Sequence, residues 1–483
     1  MSNDQMFTRR RLLQGAGAAL AAAMFSAKPA FAGEPAGPVM IRLSGYMSDA
    51  KSGSLPADVI EKAKQHILDT FGAMISGADL PPGRAAIQFA REYGGEKVAT
   101  VAASSVLCGP IEAAMANGVM AHADETDDSW PSGWHPGCNV VPATLAIGEQ
   151  AGITGMHFVR AVTLGYDIGS RMLIALRPGV FDSNKSTHSI GGIFGSAAAA
   201  GCAAGLNPQQ MRWLLDYTAQ QSSGIAAWSR DTDHIEKGFA FGGMPARGGV
   251  TSALLVRSGW TGVEDVLSGE DNFLLANEPH GDANLLIEKL GERFEIVGTS
   301  IKKWTVGSPI QAPLDAMEII LKRRRVDPEQ VREIVVRMDP RTSVVNNRDM
   351  PDICIQHMLA VMLIDGTATF RSAHDKPRMQ DPAVLRQRAK VRLDPASSQP
   401  LLTLVLADGT RLSEDVTAVL GTAGNPMTRS QVVSKSRELM TPVLGASTSA
   451  KLIDRILDVE NIKNVRELRP LLQRSPTRKA TLQ

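Results

Sequence analysis

At 483 residues the chain is longer than one ordinary hydrophobic core, so two domains of unequal size are expected. Hydrophobic residues at 43%, charged residues at 21%, 44 glycines and only 5% aromatics exclude a disordered chain and describe a globular one whose helices approach closely. The formal charge of +1 becomes −2 without residues 1–32, which carry a net +3, and that balance excludes a basic surface for nucleic acid.

In chain order, Thr8-Arg9-Arg10-Arg11-Leu12-Leu13 precedes an apolar run from Gly15 to Phe25, and Ala30-Phe31-Ala32 supplies small residues for a peptidase. The segment resembles a twin-arginine export signal cleaved near Ala32 and Gly33, so a periplasmic protein is expected. Its apolar run is too short for a stable membrane anchor, which needs about 20 residues.

From Ile41 to about Leu275 apolar residues recur at three- and four-residue spacing, as in Ala57 to Ile75, which predicts helices. Gly191 to Leu206 is almost all small and reads as a helix packed backbone-close inside a bundle. Around Arg293 the texture changes. Residues 294–304, the Glu333 to Met338 run, Ala389 to Asp394 and Leu401 to Leu412 are strand-like, with Asp408-Gly409 as a hairpin turn. Helices over 311–324 and 353–364 interleave with them, giving an α+β region between about 291 and 420. Helical periodicity returns from Ser430 to Leu472. The four cysteines, Cys108, Cys138, Cys202 and Cys354, lack metal-ligand spacing and read as packing residues.

The densest polar cluster runs from His122 to Ser129. On a helix His122, Glu125 and Ser129 would share one face, and His135-Pro136 opens the next helix. Such a cluster suits acid-base chemistry. A solvated acidic turn and a metal site are the alternatives, although no third ligand follows and H-E-x-x-H is absent. His188 precedes the small-residue helix, where Ser186 and Thr187 are cap candidates and free N–H groups would favour a carboxylate. Lys237 and Arg247 lie in a glycine-rich stretch without the G-K-[ST] of a phosphate loop, and two cations reaching one pocket would suit a substrate with several carboxylates.

Taken together, Ala116-Asn117-Gly118 through His122, Asp127-Asp128, His135-Pro136, Gly165-Tyr166-Asp167 with Arg171, His188, Gly195 and Lys237 through Gly248 resemble the MmgE/PrpD family. That family includes 2-methylcitrate dehydratase, cis-aconitate decarboxylase and iminodisuccinate epimerase. The resemblance implies a mainly α protein: a helical domain over 33–290 completed by C-terminal helices over 423–483, and a smaller α+β lid over 291–422. It implies a homodimer that needs no cofactor or metal. It also implies active-site roles for Glu125, Ser129, His135, His188 and Lys237. Where the family carries a histidine four residues before an Asp-Ala pair, this chain has Gln311 before Asp315-Ala316. Glutamine binds a carboxylate but exchanges no proton, which weakens decarboxylation.

The expected chemistry is dehydration of a 2-methylcitrate-like hydroxy polycarboxylate. His135 and His188 would move protons, Glu125, Asp127 and Asp128 would orient a histidine, and Lys237, Arg247, Lys303, Ser129 and Gln311 would hold substrate. An epimerase or isomerase of a related dicarboxylate is the second expectation, and a non-catalytic periplasmic binder of polycarboxylates the third.

Overall fold

The computed structural model describes residues 35–474 apart from 132, 178, 339–343 and 396–400. The proposed export signal therefore lies outside the described residues. Among those described, no helix is long and apolar enough to cross a membrane, and the four cysteines are free and buried.

The chain is mainly helical, with two large hydrophobic cores and a small third cluster of Ala360, Val361 and Val384 among the described residues. The first core draws on residues from Met40 to Ile301 and again from Met427 to Leu472, so both ends of the chain build it. Its helices include α1 (Pro38–Asp49), α2 (Ala57–Gly77), α3 (Pro81–Tyr93), α4 (Pro110–Ala121), α5 (Gly137–Ala151), α6 (Gly155–Ala175), α7 (Thr187–Ala203), α8 (Pro208–Gln221) and α9 (Met244–Arg257). The small-residue helix packs as its composition demands: a methyl on Gly195 of α7 would lie 2.8 Å from the carbonyl oxygen of Gly165 on α6. Gly169, Gly191 and Gly195 seat the indole of Trp134, whose Nε1 donates to Ser170 Oγ at 3.2 Å.

The second core, from Trp304 to Val416, belongs to a lid. Its sheet contains β1 (Val331–Arg337), β2 (Val391–Asp394), β3 (Leu401–Leu406) and β4 (Arg411–Asp415) in the order β2-β1-β3-β4; only the β1–β2 pair is parallel. The β3–β4 turn is the expected one, with Gly409 at φ +86° and Asp408 Oδ1 accepting from Thr410 N at 2.9 Å. Helices α10 (Gln311–Arg323) and α11 (Ile355–Asp365) pack on this sheet.

One strand expectation is corrected. Residues 294–304 form a short turn of helix at Glu295–Gly298 and then an irregular link held by the Ser300–Ser129 bridge and by Ile301 N donating to Gly421 O at 3.0 Å. Phe294, Ile296 and Ile301 are drawn into the first core, so the run carries apolar residues as a tether between cores. The chain then returns from the lid as α13 (Arg429–Leu444, taking α12 as Pro382–Arg388) and α14 (Ala446–Leu457), with α13 laid along α2.

Candidate active site

Helix α4 stops at His122, whose φ of −116° and ψ of 31° end the helical run. Residues 123–129 are therefore an irregular turn, and the shared helix face expected for His122, Glu125 and Ser129 does not exist. The turn nevertheless gathers the acids. Asp128 is spent on structure: its Oδ1 accepts from Gly137 N at 2.8 Å, tying down the start of α5. Its Oδ2 accepts from Tyr166 Oη and meets His66 Nδ1, both at 2.6 Å. That places Asp128 behind the site and corrects the role expected for it beside a catalytic histidine.

Asp127 faces two imidazoles. Both its oxygens lie 3.0 Å from His122 Nδ1, and Oδ2 lies 3.3 Å from His135 Nδ1. Burial pushes its carboxyl up, but His122 and then His135 override that and hold it well below the usual range. Burial takes His122 down to about 3, so it is a neutral donor to Asp127.

Glu125 is the other buried anion. Lys237 Nζ pairs with its Oε1, Lys302 Nζ lies 3.2 Å from Oε2 and donates to its carbonyl at 2.8 Å, and His234 Nε2 lies 3.4 Å from Oε1. Burial would raise the Glu125 carboxyl, yet Lys237 and then Lys302 keep it well below normal. Burial opposes the Lys302 charge, but Glu125 and Asp127 lift it above the ordinary lysine value.

Of these groups Glu125, Lys237 and His135 reach the wall of a cavity of about 580 Å³ between the first core and the lid, which Ser129, His188 and Arg348 also line, while Asp127 and Lys302 stand behind it. Ser186 caps α7 by accepting from Ser189 N at 3.3 Å, which sets His188 on the first turn. His188 stacks on Phe241 at 3.7 Å, and His122 covers the opposite side of that ring at 4.5 Å. Phe241 reaches between them from a π-helical turn, Phe239–Gly243. His188 lies 5.3 Å from His135 between ring centres; burial, then His135, His122 and Lys237, hold it well below the usual histidine range.

Three residues expected to hold substrate are elsewhere. Arg247 is exposed on α9, because the glycine-rich stretch is helical and turns position 247 away from Lys237. Lys303 pairs with Asp315 at 3.5 Å and Glu318 at 2.5 Å outside the cavity, while its neighbour Lys302 takes the interior place. Gln311 is tied to backbone: Nε2 donates to Trp304 O at 2.8 Å and Val306 O at 3.0 Å, and Oε1 accepts from Trp304 N at 3.0 Å. Sequence reasoning missed Lys302, His234 and Arg348, none of which lies in a recognisable motif.

Two triads, His122–Asp127–His135 and His122–Glu125–His234, bring ligand atoms within 4.8 Å of one another. A divalent ion there would meet Lys302, 3.2 Å from Glu125 and 3.8 Å from Asp127, so the charge already present suits proton transfer better than metal binding.

A helical body with an inserted α+β lid, and histidines, paired acids and lysines gathered at the cleft between, is the arrangement of a candidate enzyme site suited to acid-base chemistry. Residues 41–285 match the MmgE/PrpD N-terminal domain and residues 304–460 the MmgE/PrpD C-terminal domain, and the chain belongs to the MmgE/PrpD family. It is similar to cis-aconitate decarboxylase of Aspergillus terreus (strain NIH 2624 / FGSC A1156), 24% identical over 90% of this chain and 96% of that protein. It is also similar to cis-aconitate decarboxylase of Homo sapiens, 25% identical over 88% of this chain and 92% of that protein, and of Mus musculus, 24% identical over 89% and 92%.

Proposed function

We propose that the protein is a lyase that takes a proton from the carbon α to a carboxylate of a small hydroxy polycarboxylate and expels the neighbouring hydroxyl as water. The observation that carries this is the Asp127–His135 pair at the cavity wall, 5.3 Å from His188 and beside the Lys237–Glu125–Lys302 cluster.

Asp127, 3.3 Å from His135 Nδ1, orients the ring and faces the imidazolium once formed. His135 takes the α-proton while Lys237, backed by Lys302 through their shared Glu125, faces the carboxylate on which charge accumulates. The C–O bond then breaks as the double bond forms. The proton on His135 passes to the departing hydroxyl, with neutral His188 hydrogen-bonded to that oxygen, so one water leaves and His135 is neutral again.

Proton NMR in deuterated water, with a panel of citrates and malates, tests this. New vinyl signals, lost in His135→Asn, are the expected result. Exchange of the α-proton without vinyl signals would make the protein an epimerase, and silence would make it a binder. Decarboxylation is a second reading, favoured by the relatives' activity; there the C–C bond breaks, CO2 leaves, and the carbanion carbon takes a proton. Release of CO2 in the same tubes distinguishes it.

A further inference from the structure

We infer that the natural substrate is a hydroxy dicarboxylate carrying an apolar branch, not a citrate-type tricarboxylate, and that Arg348 holds the carboxylate remote from the reacting carbon. This rests on the lyase reading and narrows its substrate.

Among the described residues two cations line the cavity, Lys237 and Arg348. At the histidine end, Lys237 and Lys302 offset the carboxylates of Glu125 and Asp127, and Lys237 is the ammonium group that faces a ligand. At the lid end stands Arg348. Its guanidinium donates to Ser229 O at 2.6 Å, Asp231 O at 3.0 Å and Val344 O at 3.3 Å, and among the described residues no carboxylate pairs with it. Three carbonyls fix its direction without neutralising it, which makes it a ready partner for a carboxylate.

Much of the remaining wall is apolar: Trp130, Trp134, Trp228, Val345 and Ile353 line it. The glutamine that could have met a third carboxylate, Gln311, is held by the backbone of residues 304–306. A third carboxylate would lose its water against indole and aliphatic carbon without gaining a cation, an unfavourable exchange. An alkyl branch gains from the same surface. The cavity of about 580 Å³ is also roomy for an unbranched four-carbon diacid.

The test measures turnover and calorimetric affinity of the full chain with malate, 2-propylmalate, citrate and 2-methylcitrate. Expected are binding and kcat/KM for 2-propylmalate at least about ten-fold better than for the other three. Arg348→Gln should raise its KM about ten-fold, more than it lowers kcat, while weakening the matching monocarboxylate that lacks the remote carboxylate, 3-hydroxy-3-methylhexanoate, far less. Tightest binding of a tricarboxylate, or equal weakening of mono- and dicarboxylate by Arg348→Gln, would overturn the inference. If nothing turns over, the lyase reading fails, and the affinity ranking alone still decides which charge class the cavity accepts.

Discussion

Removing a carboxylate that holds two ammonium groups leaves those groups without a counter-charge. Glu125 is such a carboxylate, buried with Lys237 and Lys302 upon it. Glu125→Gln is expected to cost about 3–5 kcal/mol in chemical denaturation as well as turnover, because breaking a buried pair strands its partners. His188 differs: it lines the cavity, and its Nδ1 has no partner among the described residues. His188→Ala should therefore lower kcat about 10²- to 10⁴-fold with little change in unfolding free energy; wild-type turnover would remove it from the mechanism. Both residues could be found in the sequence because each sits beside a helix end with a polar neighbourhood. Lys302 could not be told from Lys303, since the link between two cores has no periodicity to say which side chain points inward. His234 gave no signal either, its place being set by a left-handed backbone, φ +66°.

The helices matter here through what they leave room for. On α6, a methyl added at Gly169 would lie 2.4 Å from Trp134 Cη2 and 2.6 Å from the carbonyl oxygen of Gly191. Gly169→Ala is expected to shift the Trp134 indole, changing tryptophan fluorescence and lowering activity, with a loss of about 1–3 kcal/mol for overpacking. Composition foretold this close approach in α7, whose run of small residues has one plausible use. The returning helix α13 carries Lys435, whose Nζ lies 2.7 Å from Asp69 on α2 and donates at 2.9 Å to the carbonyl of Thr126 in the acidic turn. Lys435→Met should destabilise the protein by about 3–5 kcal/mol, and pairing it with Asp69→Asn should recover part of that in a double-mutant cycle. No local pattern announces such a residue, because its partners lie hundreds of positions earlier.

Across the whole molecule, pH acts on groups far from the cavity. His357 is fully buried in the lid with neither ring nitrogen bonded among the described residues, and burial, then Arg388 and Arg378, take it down to about 4. Its folded value is depressed below the unfolded value of about 6.5, so its contribution is complete above pH 6.5 and is lost as pH falls towards 4, on the order of 3 kcal/mol. His357→Leu should then melt higher than wild type at pH 5, with the gap narrowing by pH 8. The two-part architecture was legible because strand-like and helical textures alternate over long windows. The limits of the lid were less so, since residues 294–301 look like strand and pack as tether. The order of synthesis adds a last consequence. When residue 424 has been made, every wall residue of the cavity exists, yet the helix that pins the acidic turn does not. A nascent or C-terminally clipped chain thus carries its reactive side chains without the helices that complete their core, and competence arrives only with the final eighth of the polypeptide.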